Sequence, residues 1–302
     1  AVTQPTRTAR PTVLLSTSSV YPESTASGFE IAAGLGYDGV ELMVGIDPTA
    51  ADIDAVEKYR DYHGVPVLAI HAPCLLVTQM TWGDDPWAKL DRSAEAAQRL
   101  GADTVVVHPP FRWQRDYARS FVDGIQRLNE STGIRFAVEN MYPWRTPAGV
   151  LKAYAPGWDP STLPYDHLTL DLSHASTAMQ NSLELAQAWG TRLAHVHLTD
   201  GTGSVTDEHL LPGHGDQHAD RVLRHQQIAR AGPARVPGEP RRLPQSVRPA
   251  GVHRRGRQRR RPDLRRRHPD PRARLRLGPA HVDHRVAQLR HHQPRRGGRQ
   301  RA

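Results

Sequence analysis

The chain has 302 residues and a formal net charge of +9, enough length for one large α/β domain or two smaller ones around a substantial core. Its single cysteine, Cys74, excludes an intramolecular disulfide and suits a reducing cytoplasm; the polar start from Ala1 to Pro11 and the lack of any later membrane-length apolar run argue against a signal peptide or a membrane protein. The charge averages two unlike pieces: residues 1–217 carry 15 Lys plus Arg against 26 Asp plus Glu, whereas residues 218–302 carry 25 Arg and 5 acids.

From the start, short apolar runs alternate with longer amphipathic ones. Thr12 to Leu15 reads as a first strand, and a helix follows from about Ser24 to Leu35. Gly36-Tyr37-Asp38-Gly39 turns the chain into a second strand, Val40 to Val44, which carries Glu41. Asp47 or Thr49 can cap the next helix, which presents Ile53, Val56 and Tyr59. Val65 to Ile70 is a third strand that ends at His71. Trp87 to Leu100 reads as a helix, and Thr104 to Val107 as a strand ending at His108. A helix around Tyr117 to Asn129 then leads to the strand Ile134 to Val138, which ends at Glu139. A helix from about Pro147 to Tyr154 and a Pro-rich loop precede Leu168 to Leu170, a strand ending at Asp171, with His174 three residues on. Helix Thr177 to Trp189 leads to the seventh strand, Leu193 to Leu198, which carries His197.

Seven β-α units with buried-looking strands argue for a parallel sheet. A doubly wound nucleotide fold would place a Gly-rich turn after its first strand, and Ser16-Thr17-Ser18-Ser19 is not one. Polar residues at the C-terminal ends of the strands fit an α/β fold of the (β/α)8 TIM barrel type, whose active site gathers at that face. The eighth strand falls near residues 234–240, where Pro237 and Pro240 break a central strand, so the barrel is apparently incomplete at its eighth β-α unit.

Residues 218–302 contain no Phe, Trp, Tyr, Met, Cys, Asn or Thr, and such a segment has too little apolar surface to offset its ordering entropy. The expectation is a barrel over 1–217 and a disordered basic C-terminal tail over 218–302. A nucleic-acid-binding arm, a merely solvated tail and an out-of-frame translation of a GC-rich gene all suit this composition. The abrupt change near Gln217 favours the last, and no aromatic is present for base stacking.

The strand ends collect Glu41, His71, His108, Glu139, Asp171, His174 and His197, and the following loop adds Asp200, Asp207 and His209. Imidazole with carboxylate suits Zn, Mn or Co, or Mg where oxygen donors dominate. Bland readings compete. His71 and His108 can be core histidines, Asp171 a helix cap, Glu41 an orienting residue, and Cys74 a small buried side chain rather than a nucleophile. Trp82, Trp87, Trp113 and Trp144 can wall a sugar-sized pocket or pack the rim.

These residues resemble the xylose isomerase-like barrels, which include sugar-phosphate isomerases and epimerases and the endonuclease IV group. The resemblance rests on Gly-Tyr-Asp-Gly-Val-Glu-Leu (36–42), Ile-His-Ala-Pro (70–73), Val-His-Pro-Pro (107–110), Val-Glu-Asn (138–140), Asp-Leu-Ser-His (171–174), His-Val-His-Leu-Thr-Asp (195–200) and the run from Asp207 to Asp216. It implies that Glu139, Asp171 and His197 hold a divalent metal, that Glu139 moves a proton at the substrate carbon, and that His174, with Asp200 beside it, contacts substrate. In the endonuclease branch His71, His108, Asp207 and His209 match further ligands of a three-metal cluster. The glutamate that the eighth strand supplies in the isomerases has no strand-borne counterpart here, since Glu239 lies between prolines, and its loss would impair epimerase activity.

The expectation is therefore a metal-dependent, cytoplasmic isomerase or epimerase of a sugar or sugar phosphate. The alternatives are a metal-dependent phosphodiesterase on abasic DNA, against which the net acidity of residues 1–217 counts, and a non-catalytic or defective barrel.

Overall fold

The structure, a computed structural model, describes residues 11–231 apart from 46 and 148, with the backbone alone for 227–231. In chain order the elements are β1 (Leu14–Ser16), α1 (Thr25–Leu35), β2 (Gly39–Met43), α2 (Ile53–His63), β3 (Val67–His71), α3 (Pro86–Leu100), β4 (Thr104–Val107) and α4 (Arg115–Thr132). Then follow β5 (Arg135–Glu139), the hairpin strands β6 (Trp144–Thr146) and β7 (Gly149–Leu151), β8 (Leu168–Asp171), α5 (Leu172–Thr177), α6 (Ser182–Trp189), β9 (Leu193–His197) and α7 (Ala219–Ala231).

Seven strands form one parallel sheet in the order β1-β2-β3-β4-β5-β8-β9, the chain order of a barrel. The sheet curls: His197 on β9 lies 3.1 Å from Glu41 on β2, although four strands separate them in the sheet order. Among the described residues β1 and β9 are its two ends, so the structure is an incomplete TIM barrel, as the sequence predicts. The predicted eighth strand near 234–240, with Glu239, lies outside the described residues.

Strand alternation divides the buried side chains into two sets. Val40, Leu42, Ile70, Val105, Val107, Phe136, Val138, Leu168 and Leu170 face the helices and join Phe29, Leu90, Phe121 and Ile125 in the main core. The intervening positions, Glu41, Ala69, His71, Val106, Ala137, Glu139, Thr169 and Asp171, are equally buried and face the barrel interior. Register carries this across the sheet: Glu41 pairs with Ala69, Val106 with Ala137, Glu139 with Thr169, and Asp171 with His197. Small residues low in the barrel leave the polar ones at its C-terminal end.

Helix ends follow local chemistry. Asp52 caps α2 through the Ala55 amide, Asp85 caps α3 through Trp87 and Ala88, and α3 stops at Gly101, whose φ of 82° is open to glycine. Gly124 on α4 allows a close approach, because a Cβ there would overlap the Trp87 ring.

Three expectations change. The helix expected from Pro147 to Tyr154 is the β6–β7 hairpin, with Trp144 opposite Leu151 and Gly149 at φ 122°. The β-prone Trp144-Arg145-Thr146 and a Pro-Gly turn outweigh the few apolar residues after it. The helix expected from Thr177 to Trp189 begins only at Ser182, as α6, and the short α5 before it ends at Thr177, because Met179 takes φ 60° and Asn181 starts α6 by accepting the Leu183 and Glu184 amides. Finally, the packed chain runs past the expected boundary at residue 217, since α7 places Ala219 and Val222 in the core. Loss of aromatics marks the composition change, but a helix that meets the core through Ala219 and Val222 needs none. The rest of the predicted tail lies outside the described residues.

Candidate metal centre

Glu139, at the end of β5, is the hub. Its Oε2 lies 3.0 Å from His108 Nε2 and 3.3 Å from His71 Nε2, and its Oε1 lies 3.1 Å from His197 Nδ1 and 3.2 Å from His174 Nδ1. Backbone carbonyls set the imidazole tautomers: His71 Nδ1 donates to Ala72 O at 3.0 Å and His174 Nδ1 to Asn140 O at 2.8 Å. His71 thereby turns Nε2 towards Glu139, whereas His174 turns Nε2 towards Asp207.

Asp171, at the end of β8, serves two functions with its two oxygens. Oδ1 caps α5 by accepting the His174 amide at 2.9 Å and also accepts the Thr199 hydroxyl at 3.3 Å. Oδ2 lies 3.4 Å from both His197 Nδ1 and His209 Nε2. Asn140 clips β5 to β8, donating to Asp171 O and accepting the Asp171 amide.

A third set comes from the loop after β9. Asp207 lies 3.2 Å from His174 Nε2 and 3.0 Å from His209 Nδ1 and accepts the Ser173 hydroxyl at 2.6 Å. The same hydroxyl accepts the His209 amide, so one serine side chain fixes both loop residues against α5.

Asp200 is placed differently from the substrate contact expected of it. It is buried, and its oxygens accept the backbone N–H groups of Gly201, Gly213 and Gln217 at 3.0, 2.8 and 3.0 Å. The loop closes so tightly around it that a Cβ on Gly215 would collide with Gly201 O and Asp200 Oδ1. The carboxylate organises the loop that carries Asp207 and His209, and both its oxygens are engaged by backbone amides.

Two residues outside the ligand set that the resemblance implies, Glu41 and His195, lie against it. Glu41 Oε2 lies 2.7 Å from His195 Nε2 and 3.1 Å from His197 Nε2. The signal was present, since the two-residue period of His195-Val196-His197 puts both rings on one face of β9, towards the barrel interior. The other candidates separate. Trp87 packs on Tyr117 and Phe121, Trp82 donates to Ala51 O, and Trp144 joins Phe111 and Tyr154, whereas Trp113 stacks on Phe111 and stays exposed. Burial pushes the Cys74 thiol up to about 12, so it is no nucleophile at neutral pH.

The electrostatics are those of a cation-binding pocket. Burial alone would raise the pKa of Glu139, but the charges of the surrounding imidazoles, His197 and His108 first, hold it well below the carboxylate range. Burial would lower His174 and His197, yet their carboxylates, Asp171 and Asp207 for one and Glu41 and Glu139 for the other, raise both well above the ordinary imidazole value. His108 goes the other way, because burial outweighs its attraction to Glu139.

Two observations test the fit to a divalent metal. Glu139 Oε2 and Asp171 Oδ2 are fully buried and have no partner with hydrogen-bond geometry, although imidazole nitrogens lie 3.0 to 3.4 Å away. Donor atoms that converge without pointing at one another are arranged for something between them. Among the described residues, moreover, Glu41–His195–His197, His71–Glu139–His197 and Asp171–His174–His209 each bring their ligand atoms within 4.8 Å of one another. Nitrogen and oxygen donors of this kind fit Zn, Mn or Co.

A family model described as the xylose isomerase-like TIM barrel matches residues 29–229. The chain belongs to this family. An uncharacterized protein of Mycobacterium tuberculosis is 47% identical over 237 residues, which cover 72% of this chain and 84% of the relative. Among solved structures, a xylose isomerase domain protein from Alicyclobacillus acidocaldarius superposes with a TM-score of 0.53 at 22% identity, over 72% of this chain and 85% of that one. The IOLI protein, crystallised with a bound zinc atom, gives 0.51 at 19% identity, over 71% and 85%. These likenesses show the fold. In a xylose isomerase-like barrel the C-terminal mouth is where Glu139, Asp171 and the histidines gather. Among the described residues no helix is long and apolar enough to cross a membrane.

Proposed function

We propose that this chain is a divalent-metal-dependent isomerase or epimerase acting on a sugar or sugar phosphate in the cytoplasm. The observation that carries the reading is the pair of buried carboxylate oxygens without hydrogen bonds, Glu139 Oε2 and Asp171 Oδ2, facing a ring of imidazoles at the barrel mouth. Glu139, Asp171 and His197 would hold the metal, with Glu41 orienting His197 through its other ring nitrogen. A Zn, Mn, Co or Mg ion bound there supplies a Lewis acid for negative charge developing on a substrate oxygen. Glu139 is held ionised and can accept a proton from the carbon beside a carbonyl, while His174 donates to a substrate oxygen. Asp200 serves as a positioning residue for the Asp207–His209 loop rather than as a substrate contact.

A second reading, metal-assisted phosphoester hydrolysis, is favoured by one specific observation. His71 and His108 on Glu139, and His174–Asp207–His209 beside it, offer more ligand positions than a single metal needs. The acid excess of residues 1–217 speaks against a polynucleotide as the ester. The two readings part in deuterated water. The isomerase reading requires metal-dependent uptake of solvent deuterium at a carbon next to the carbonyl of a ketose or ketose phosphate. Release of phosphate without deuterium uptake would replace it with the hydrolase.

A further inference from the structure

Next to the metal centre, between the loops after β3 and β4, lies a second cavity of about 30 Å3 lined by Cys74, Gln79, Lys89, His108, Gln114 and Tyr117. His108 is the shared wall: it lines this cavity, and its Nε2 lies 3.0 Å from Glu139 in the metal centre. Lys89 is only 5% exposed. Its ammonium donates to the Gln79 carbonyl, and among the described residues no carboxylate lies within ion-pair distance of it. Asp84 and Asp85, which attract it from further off, are themselves exposed and screened by solvent. A buried ammonium has three protons to place, and a neutral carbonyl satisfies one. Buried charges are ordinarily paired, so the arrangement lacks an anion.

Much of the remaining wall is apolar, from Ala72, Pro73, Pro86, Leu90, Pro109 and Pro110, but two polar side chains on it can donate to an anion. The Gln114 carbonyl oxygen accepts the Phe111 amide at 2.9 Å, leaving its NH2 group unassigned, and the Tyr117 hydroxyl is held neutral because burial and the nearby Cys74 push its pKa well up. A neutral phenol donates a hydrogen bond; a phenolate would repel an anion. The volume is room for a few water-sized groups.

We propose that this cavity seats the anionic terminus of the substrate, a phosphoryl or carboxylate group, with Lys89 as its counter-ion and Tyr117 and Gln114 as neutral donors. This deepens the reading of a sugar-type substrate and narrows it to an acidic one, either a sugar phosphate or a sugar acid. A terminus held there lies on the far side of the His108 ring from Glu139.

The test is binding, not turnover, so it is independent of whether the isomerase reading holds. Inorganic phosphate and acetate are titrated calorimetrically into the full chain and into Lys89→Met, which keeps the aliphatic stem, and Tyr117→Phe. The expected result is saturable binding of at least one probe, weakened about 10-fold or more by Lys89→Met and about threefold by Tyr117→Phe. Tighter phosphate identifies a phosphoryl terminus, and tighter acetate a carboxylate. Should Lys89→Met fail to melt cooperatively, Tyr117→Phe carries the test. No binding to the full chain, or binding unchanged in the folded variants, overturns the proposal.

Discussion

Replacing Glu139 by glutamine removes one negative charge while keeping shape and volume, and the structure makes the consequences specific. Glu139 is 1% exposed and touches His71, His108, His174 and His197 at 3.0 to 3.3 Å. With Glu41 and Asp171, it is also one of the three carboxylates that raise the pKa of His197. Without it, buried imidazolium is left with less compensation. Breaking a buried pair in this way costs about 3–5 kcal/mol, and the lower end applies because Glu41 and Asp171 still face His197. A loss of about 3 kcal/mol corresponds to a melting temperature lower by roughly 6–12 °C for a domain of this size. Metal affinity falls further than the 10–100-fold typical of an orienting partner, because the lost charge and the oxygen replaced by NH2 face the metal position itself. The assay is a pair of thermal melts, with chelator and with excess Zn, followed by metal analysis after desalting. A Glu139→Gln chain that retains metal and melts within a degree of the parent would refute the hub role.

Four further outcomes follow from particular contacts. Metal uptake near neutral pH releases protons, because burial lowers His197 but Glu41 and Glu139 raise it well above the ordinary imidazole value, so the metal-free chain holds it protonated and a ligand must be neutral. Calorimetry in buffers of different ionisation enthalpy measures this, and apparent affinity that did not weaken as pH falls would contradict it. Asp200→Asn presents an amide to the N–H groups of Gly213 and Gln217, costing about 1–3 kcal/mol and loosening the Asp207–His209 loop; it is read as faster proteolysis within residues 198–217, and an unchanged cleavage rate would refute the role. At Asp47 burial raises the pKa but the Thr25 and Thr49 hydrogen bonds bring it down to about 2; its contribution is complete above about pH 4 and disappears as pH falls towards 2. Asp47→Ala therefore costs about 1 kcal/mol by urea unfolding at pH 7, and a difference that did not narrow between pH 4 and pH 2 would be evidence against this. Gly124→Ala forces the Trp87 ring to move and costs about 1–3 kcal/mol, measured by circular dichroism; an unchanged melt would mean that the α3–α4 contact is slack.

Much of the fold could be read from hydrophobic period because the parallel strands are buried on both faces and end in polar residues. Runs such as Thr104 to Val107 and Arg135 to Glu139 announce both their type and their site residue. Elements governed by local turn chemistry were harder. Pro147 and Gly149 make a hairpin where an apolar count suggested a helix, and Asn181 restarts a helix that a periodic reading ran through. At Asp171 the choice between helix cap and metal ligand was a false one, since Oδ1 caps and Oδ2 is left facing the histidines. Asp200 and Glu41 exchanged expectations for a related reason. Both are carboxylates near strand ends, and only the folded loop reveals that backbone amides occupy Asp200 while the curl of the sheet brings His195 and His197 to Glu41. Sequence spacing reports which face of a strand a residue takes; it does not report what the opposite wall or the following loop supplies.

The central claim is that the mouth of this barrel is a divalent-metal centre built on Glu139, Asp171 and His197. Equilibrium dialysis of the chelator-treated full chain against micromolar Zn and Mn, with metal counted by plasma mass spectrometry, tests it most directly. The account predicts at least one tightly held ion per chain, lost in Asp171→Asn and His197→Ala variants that still melt cooperatively. A folded parent chain that retains no metal, or variants that retain as much as the parent, would contradict it.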